Sequence, residues 1–261
     1  MKKRKIIIII IIIAILLIIM GSIIHLITNN GKTASLSNEE AKEYLNNITN
    51  TIMNDGSKEE LLDALQGISL IDKNIMTGED MYLLQEPEDY VKEEYPLDDY
   101  ITLSKTLANN LEQKIKDNFD YEITSITKDG NNTLVYITFK TYYYTAYIND
   151  LQKIQDALLV RAGYDINNIE TSLKYYSDLY KAKIKAAAIL DNYLDNYDNS
   201  DEYIDTIFTF VNNNIEDSAY SLMEYHANLV GFNYDNKGFL QTDEDVNNIL
   251  ANYDLTNTLA L

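Results

Sequence analysis

The chain has 261 residues, 46% of them hydrophobic, and sets 21 Lys and Arg against 41 Asp and Glu for a net charge of −20. It has no Cys and no Trp, which excludes disulfides, thiol catalysis, cysteinyl zinc, iron–sulfur clusters and a lipidated cysteine anchor. The acidic balance argues against nucleic acid as a partner, because a phosphate-binding face needs clustered Lys and Arg.

Residues 1–5, Met-Lys-Lys-Arg-Lys, form a basic flank to Ile6–Ile27, which is apolar except at Gly21, Ser22 and His25. At about 1.5 Å per residue that segment measures roughly 33 Å, enough to cross a bilayer core. The flank predicts a cytoplasmic amino terminus and an exterior remainder. A cleaved signal peptide is the competing reading. The run exceeds the usual apolar core of about 7–15 residues, and no small-x-small site precedes Thr33, so 6–27 reads as a signal anchor in the lipid bilayer. His25 falls near its outer end, at the interface. Beyond the four flanking cations, 17 Lys and Arg face all 41 acids, a net −24 for the exterior part. Its one Arg, Arg161, gives little means of bidentate phosphate capture.

Residues 28–36 read as a stalk, and 37–261 as an extracytoplasmic α+β domain with a helical C-terminal part over 148–261. Ser37 with Glu40 makes a capping box opening a helix whose apolar stripe includes Ala41, Tyr44, Leu45, Ile48, Ile52 and Met53. A second box, Ser57 with Glu60, opens a short helix stopped by Gly67. Residues 68–96 carry no firm period and read as a loop-rich connection. A helix follows over about 97–118, with Leu97, Ile101, Leu107, Ala108, Leu111 and Ile115 on one face. The period then changes to that of a hairpin over 119–145, turned by Lys128-Asp-Gly-Asn-Asn132. Its second strand, expected over 133–145, puts Val135, Ile137, Phe139 and Tyr143 on one side. Asn149 or Asp150 is expected to cap a helix ending at Gly163. A longer helix is expected from Asn167 to Tyr197, with a stripe of Leu173, Tyr176, Tyr180, Ile184, Ala187, Leu190, Leu194 and Tyr197. That stripe reads as a core face. A strand near 203–211 and helices over 215–230 and 243–253 complete the pattern.

The helix 97–118, the strand FDYEITSIT, the Asp-Gly turn and the strand TLVYITFKTY resemble the helix-plus-hairpin core of NTF2-like or cystatin-like exterior domains of membrane-anchored Gram-positive proteins. The resemblance covers mainly residues 97–147. It implies a helix across a curved antiparallel sheet and supplies no catalytic residues. A lipobox cysteine and a late glycine-lysine-tryptophan turn, frequent in such proteins, are missing.

The sharpest chemical pattern is 233–244, which resembles an EF-hand loop in spacing. Asn233, Asp235, Gln241 and Glu244 fall at ligand positions one, three, nine and twelve, and Gly238 falls at the sharp turn. Asn233 stands where Asp is usual, and Lys237 puts a cation where an oxygen ligand belongs. The plainer reading is a loop before a helix capped by Thr242. No other cofactor is expected. The exterior His226 lies five residues from Ser221, so on a helix the two diverge by about 140° and make no triad. The expected function is a non-catalytic binding or assembly module of the cell envelope, with an envelope protein or small ligand as partner. A carboxylate-dependent envelope hydrolase, needing two facing acids in a cleft, and a calcium-responsive module through 233–244 are the alternatives.

Overall fold

The computed structural model describes residues 36–53, 86–198, 203–214, 216–229, 238–253 and 259. The expected anchor 6–27, the stalk up to 35, the Ser57 capping box, Asn233 and Asp235 lie outside these residues. The described part is α+β, with seven α-helices and one three-stranded antiparallel sheet ordered β1-β2-β3. Among the described residues no helix is long and apolar enough to cross a membrane.

The elements in chain order are α1 (Asn38–Met53), α2 (Asp89–Glu94), α3 (Asp98–Asp117), β1 (Asp120–Asp129), β2 (Asn132–Lys140), α4 (Tyr144–Arg161), α5 (Leu173–Leu190), a 3-10 helix (Asp191–Tyr197), β3 (Ile204–Phe210), α6 (Ala219–Leu229) and α7 (Asp243–Leu250). By contacts the chain forms two compact units. Among the described residues one takes 36–53, 123–137, 206–214 and 216–224, and the other takes the rest.

In the first unit the capping box expected at Ser37 is present. Glu40 N–H donates to Ser37 Oγ at 3.2 Å and Ser37 N–H to Glu40 Oε2 at 2.8 Å. Helix α1 buries Ala41, Tyr44, Leu45 and Ile48, and the Tyr44 ring meets Phe210 edge-on at 5.7 Å. The hairpin turn is two residues long, with Gly130 at φ +59°, the first central position where type II′ turns require glycine. Lys128 Nζ ties the hairpin's end to the chain entering α1, donating to Leu36 O at 2.8 Å, to Asn213 Oδ1 at 3.2 Å and to Thr133 Oγ1. Asn212 and Asn213 take left-handed backbone, φ 54° and 52°, in the tight turn that ends β3. Asn132 Oδ1 holds that turn by accepting from Asn212 N–H at 2.9 Å.

In the second unit α5 is the central helix, packed by α2, α3 and α4. It is therefore buried on more than one side: Tyr175, Tyr180, Lys183, Ile184, Ala187 and Leu190 are all covered. The expected stripe fails at its start, where Leu173 and Tyr176 are each 40% exposed, because α5 begins later than expected. Asn167 and Asn168 instead turn on Asp165, and Ser172 caps the helix by accepting from Tyr175 N–H at 3.1 Å. At the other end the helix tightens into the 3-10 turn through Tyr197.

The second hairpin strand also stops short, at Lys140 and not at residue 145. Tyr143 N–H leaves the ladder and donates to Tyr197 O at 2.9 Å. Helix α4 then starts at Tyr144, five or six residues before the expected cap at Asn149 or Asp150, because Tyr144, Tyr147, Leu151, Ile154 and Leu158 form one buried face. Helical burial overrides the strand propensity of tyrosine here. The end of α4 is as expected: Gly163, φ +93°, closes a Schellman motif in which Tyr164 N–H reaches Leu159 O and Gly163 N–H reaches Val160 O, each at 3.0 Å. The region 68–96, expected to be loop-rich, contains the short helix α2. Helix α6 starts at Ala219 behind a 3-10 turn, and α7 ends at Leu250 with a turn over 251–253.

Candidate functional site

Asp150 is the one acid among the described residues with 0% exposure. It was expected to cap a helix, but it lies in the middle of α4, on the buried face between Tyr147 and Leu151. Oδ2 accepts from Tyr197 OH at 2.9 Å and from Leu240 N–H at 3.1 Å. Oδ1 accepts from Lys153 Nζ at 3.2 Å, and the same ammonium reaches Leu240 O. The cluster thus joins α4, the end of the 3-10 helix and the segment leading into α7. Gly238 closes it, for an added Cβ would stand 1.9 Å from Asp150 Oδ1.

Tyrosines wall the cluster. The rings of Tyr142 and Tyr197 are 6.1 Å apart, those of Tyr147 and Tyr197 5.5 Å, and those of Tyr144 and Tyr147 6.4 Å. Tyr142 OH donates to Leu194 O. Burial pushes the Tyr197, Tyr147 and Tyr142 phenols well above their ordinary value, and for Tyr197 the Asp150 charge adds to the effect. The Tyr197 and Tyr142 phenols are held as hydrogen-bond donors.

A second buried acid repeats the pattern. Asp178 on α5 accepts from Lys174 Nζ at 2.6 Å and from Tyr164 OH at 2.7 Å, with Lys181 Nζ at 3.9 Å. Hydrogen bonds to Asp178 and Tyr164 hold the Lys174 ammonium above its ordinary value. Lys183 on α5 is 7% exposed and lies 5.0 Å from the Tyr180 ring centroid. Burial brings its ammonium down to about 8. Asp150 has both oxygens bonded from its own chain, whereas Asp178 takes its lysine and its tyrosine on Oδ2 and has Lys181 facing Oδ1. The Asp150 arrangement clamps elements together.

Of the proposed loop ligands, Gln241 and Glu244 are described. Gln241 turns its side-chain amide back on Gly238 O, and its N–H donates to Asp245 Oδ2 at 2.9 Å. Glu244 is exposed in the first turn of α7. Gly238, expected at the sharp turn of a metal loop, is packed against Asp150. Thr242 and Asp245 form a full capping box on α7. Among the described residues no group of three or more His, Asp and Glu is placed to hold a metal ion. Asp150, Asp178 and Lys183 were missed as site residues. The available signal was a charged residue falling in phase with the apolar face of a helix, at 147, 150, 151 and 154.

No family model matches the chain, and neither a curated protein nor a solved structure matches it.

Proposed function

We propose that the chain is a single-pass membrane protein whose α+β part lies outside the cytoplasm and acts in binding or assembly within the cell envelope, without catalysis. The observation that carries this reading is the cationic run Lys2–Lys5 followed at once by the 22-residue apolar run Ile6–Ile27. Such a helix spans the hydrocarbon, and its flanking cations stay on the cytoplasmic side. The non-catalytic reading is supported by Asp150, the most buried carboxylate, whose two oxygens accept from Tyr197, Leu240 and Lys153 of its own chain. The order α3, β1, two-residue turn, β2 over 98–140 supports placing the exterior part beside NTF2-like or cystatin-like domains. A partner protein or a small ligand of the envelope is the implied occupant of its surface.

Alkaline carbonate extraction of membranes tests the anchor. The full chain stays in the pellet and a chain lacking residues 6–27 is released. Release of the full chain contradicts the reading. Screening the detergent-purified full chain on peptides, glycans and esters tests the rest. Turnover of any of them contradicts the non-catalytic assignment.

A further inference from the structure

We propose that the open edge of β1 pairs with the same edge of a second copy of this chain, antiparallel and centred on Ser125. The inference names a partner for the assembly role above but rests on β1 alone, with or without the anchor. Strand β1 stands at the end of the order β1-β2-β3, and no described strand lies on its other side. It is ten residues long, and Glu122, Thr124, Ser125, Thr127 and Lys128 are exposed. Natural edges are blunted by short length, proline, bulges or central charges. Here the middle, Ile123-Thr-Ser-Ile-Thr127, has no charge and no proline and is rich in β-branched residues. On a chain of net charge −20 an uncharged strip is where a like-charged copy can approach.

The hairpin turn fixes which backbone groups are free. Only Gly130 and Asn131 separate the strands, so Asp129 and Asn132 close the ladder as a hydrogen-bonded pair. The alternation of an antiparallel ladder then turns the odd-numbered residues of β1 toward β2 and the even-numbered ones outward. Lys128 side by side with Thr133 across the hairpin agrees with that register. A second β1 must present even-numbered residues to even-numbered residues, which limits the registers. Centred on Ile126, pairing leaves Lys128 opposite Thr124 and no opposite charges matched. Centred on Thr124, it sets Ile126 opposite Glu122. Centred on Ser125, it sets Glu122 opposite Lys128 twice, Thr124 opposite Ile126 twice, and Ser125 opposite itself. Only this register matches both the charged and the apolar positions. The Lys128 ammonium donates to three acceptors among the described residues, all of them neutral, so its charge still acts on the facing Glu122.

The chain has no Cys, so a single Ser125→Cys can link only to its counterpart. In the proposed register residue 125 forms a pair without ladder bonds, with Cα atoms about 4.5 Å apart, inside the range of about 4.4–6.8 Å that disulfides span. The full-length variant, in detergent and in membranes, is oxidised with copper phenanthroline beside a Glu170→Cys control in an exposed loop. The expected result is a reducible dimer for Ser125→Cys and not for the control. Adding Glu122→Lys, an exposed change, sets like charges opposite each other twice and lowers the yield about tenfold. Adding Lys128→Glu as well restores it. Linkage no better than the control overturns the proposal, and so does a yield that Glu122→Lys leaves unchanged.

Discussion

The backbone of Gly238 lies so close to the carboxylate of Asp150 that a Cβ there would come within 1.9 Å of Oδ1. The glycine and the acid are 88 positions apart, and their fit brings Leu240 N–H to Asp150 at 3.1 Å. Gly238→Ala therefore destabilises the fold by about 2–4 kcal/mol, through overpacking of a buried charged group. Asp150→Ala is costly as well, because it orphans the Tyr197 hydroxyl and the Leu240 amide. The double variant costs less than the sum, by about 1 kcal/mol or more, since removing the carboxylate makes room for the methyl. Denaturant unfolding of the four chains measures this, and simple additivity contradicts the clamp.

The buried phenols make the fold sensitive to alkali. Tyr142, Tyr147 and Tyr197 are raised above the ordinary 10.0 mainly by burial. Above pH 10 the unfolded chain releases these protons while the folded chain keeps them. The folded state then binds more protons, so stability falls as pH rises. A titration followed at the phenolate band and by circular dichroism shows these tyrosines ionising only with unfolding. Complete phenolate formation in a still-folded chain contradicts the account.

Lys183 has the opposite dependence. Burial lowers it from 10.5 to about 8. Between those values the unfolded chain binds more protons, so this group raises stability as pH rises and costs most below pH 8. Lys183→Met is expected to stabilise the protein by about 1–3 kcal/mol at pH 7. The gain shrinks through the interval and vanishes above 10.5. A gain of constant size across that range contradicts burial as its cause.

The cap of α7 carries its own test. Asp245→Ala removes the carboxylate that accepts from Thr242 N–H at 2.7 Å and from Gln241 N–H at 2.9 Å. The variant melts at a lower temperature than the parent at neutral pH. Hydrogen bonds from Thr242 hold this carboxyl below its ordinary value, so the loss appears at neutral pH and fades as acid protonates the group. Thermal melts of both chains from pH 7 downward measure it. An unchanged difference in acid contradicts the capping role.

Local signals in the sequence located the elements whose causes are local. Ser37 with Glu40, Gly130, Gly163 and Thr242 each act within a few residues, and each does in the structure what its position predicts. The alternation of Val135, Ile137 and Phe139 likewise named the buried face of β2. What failed was set at a distance. The run Thr141-Tyr-Tyr-Tyr-Thr145 has strand chemistry, yet Tyr197, far along the chain, takes the Tyr143 amide and a helix begins at Tyr144. Asp150 looked like a cap because a polar residue near a helix start usually is one. Its partners Tyr197 and Leu240 lie 47 and 90 positions away, which no spacing rule reaches.

The most direct test of the account is the sidedness of the chain in intact cells. Because the chain has no Cys, Lys3→Cys and Glu170→Cys each give one reactive thiol. A membrane-impermeant maleimide added outside should label Glu170→Cys and reach Lys3→Cys only after lysis. Labelling of Lys3→Cys from outside, or protection of Glu170→Cys until lysis, contradicts a cytoplasmic flank joined to an exterior domain.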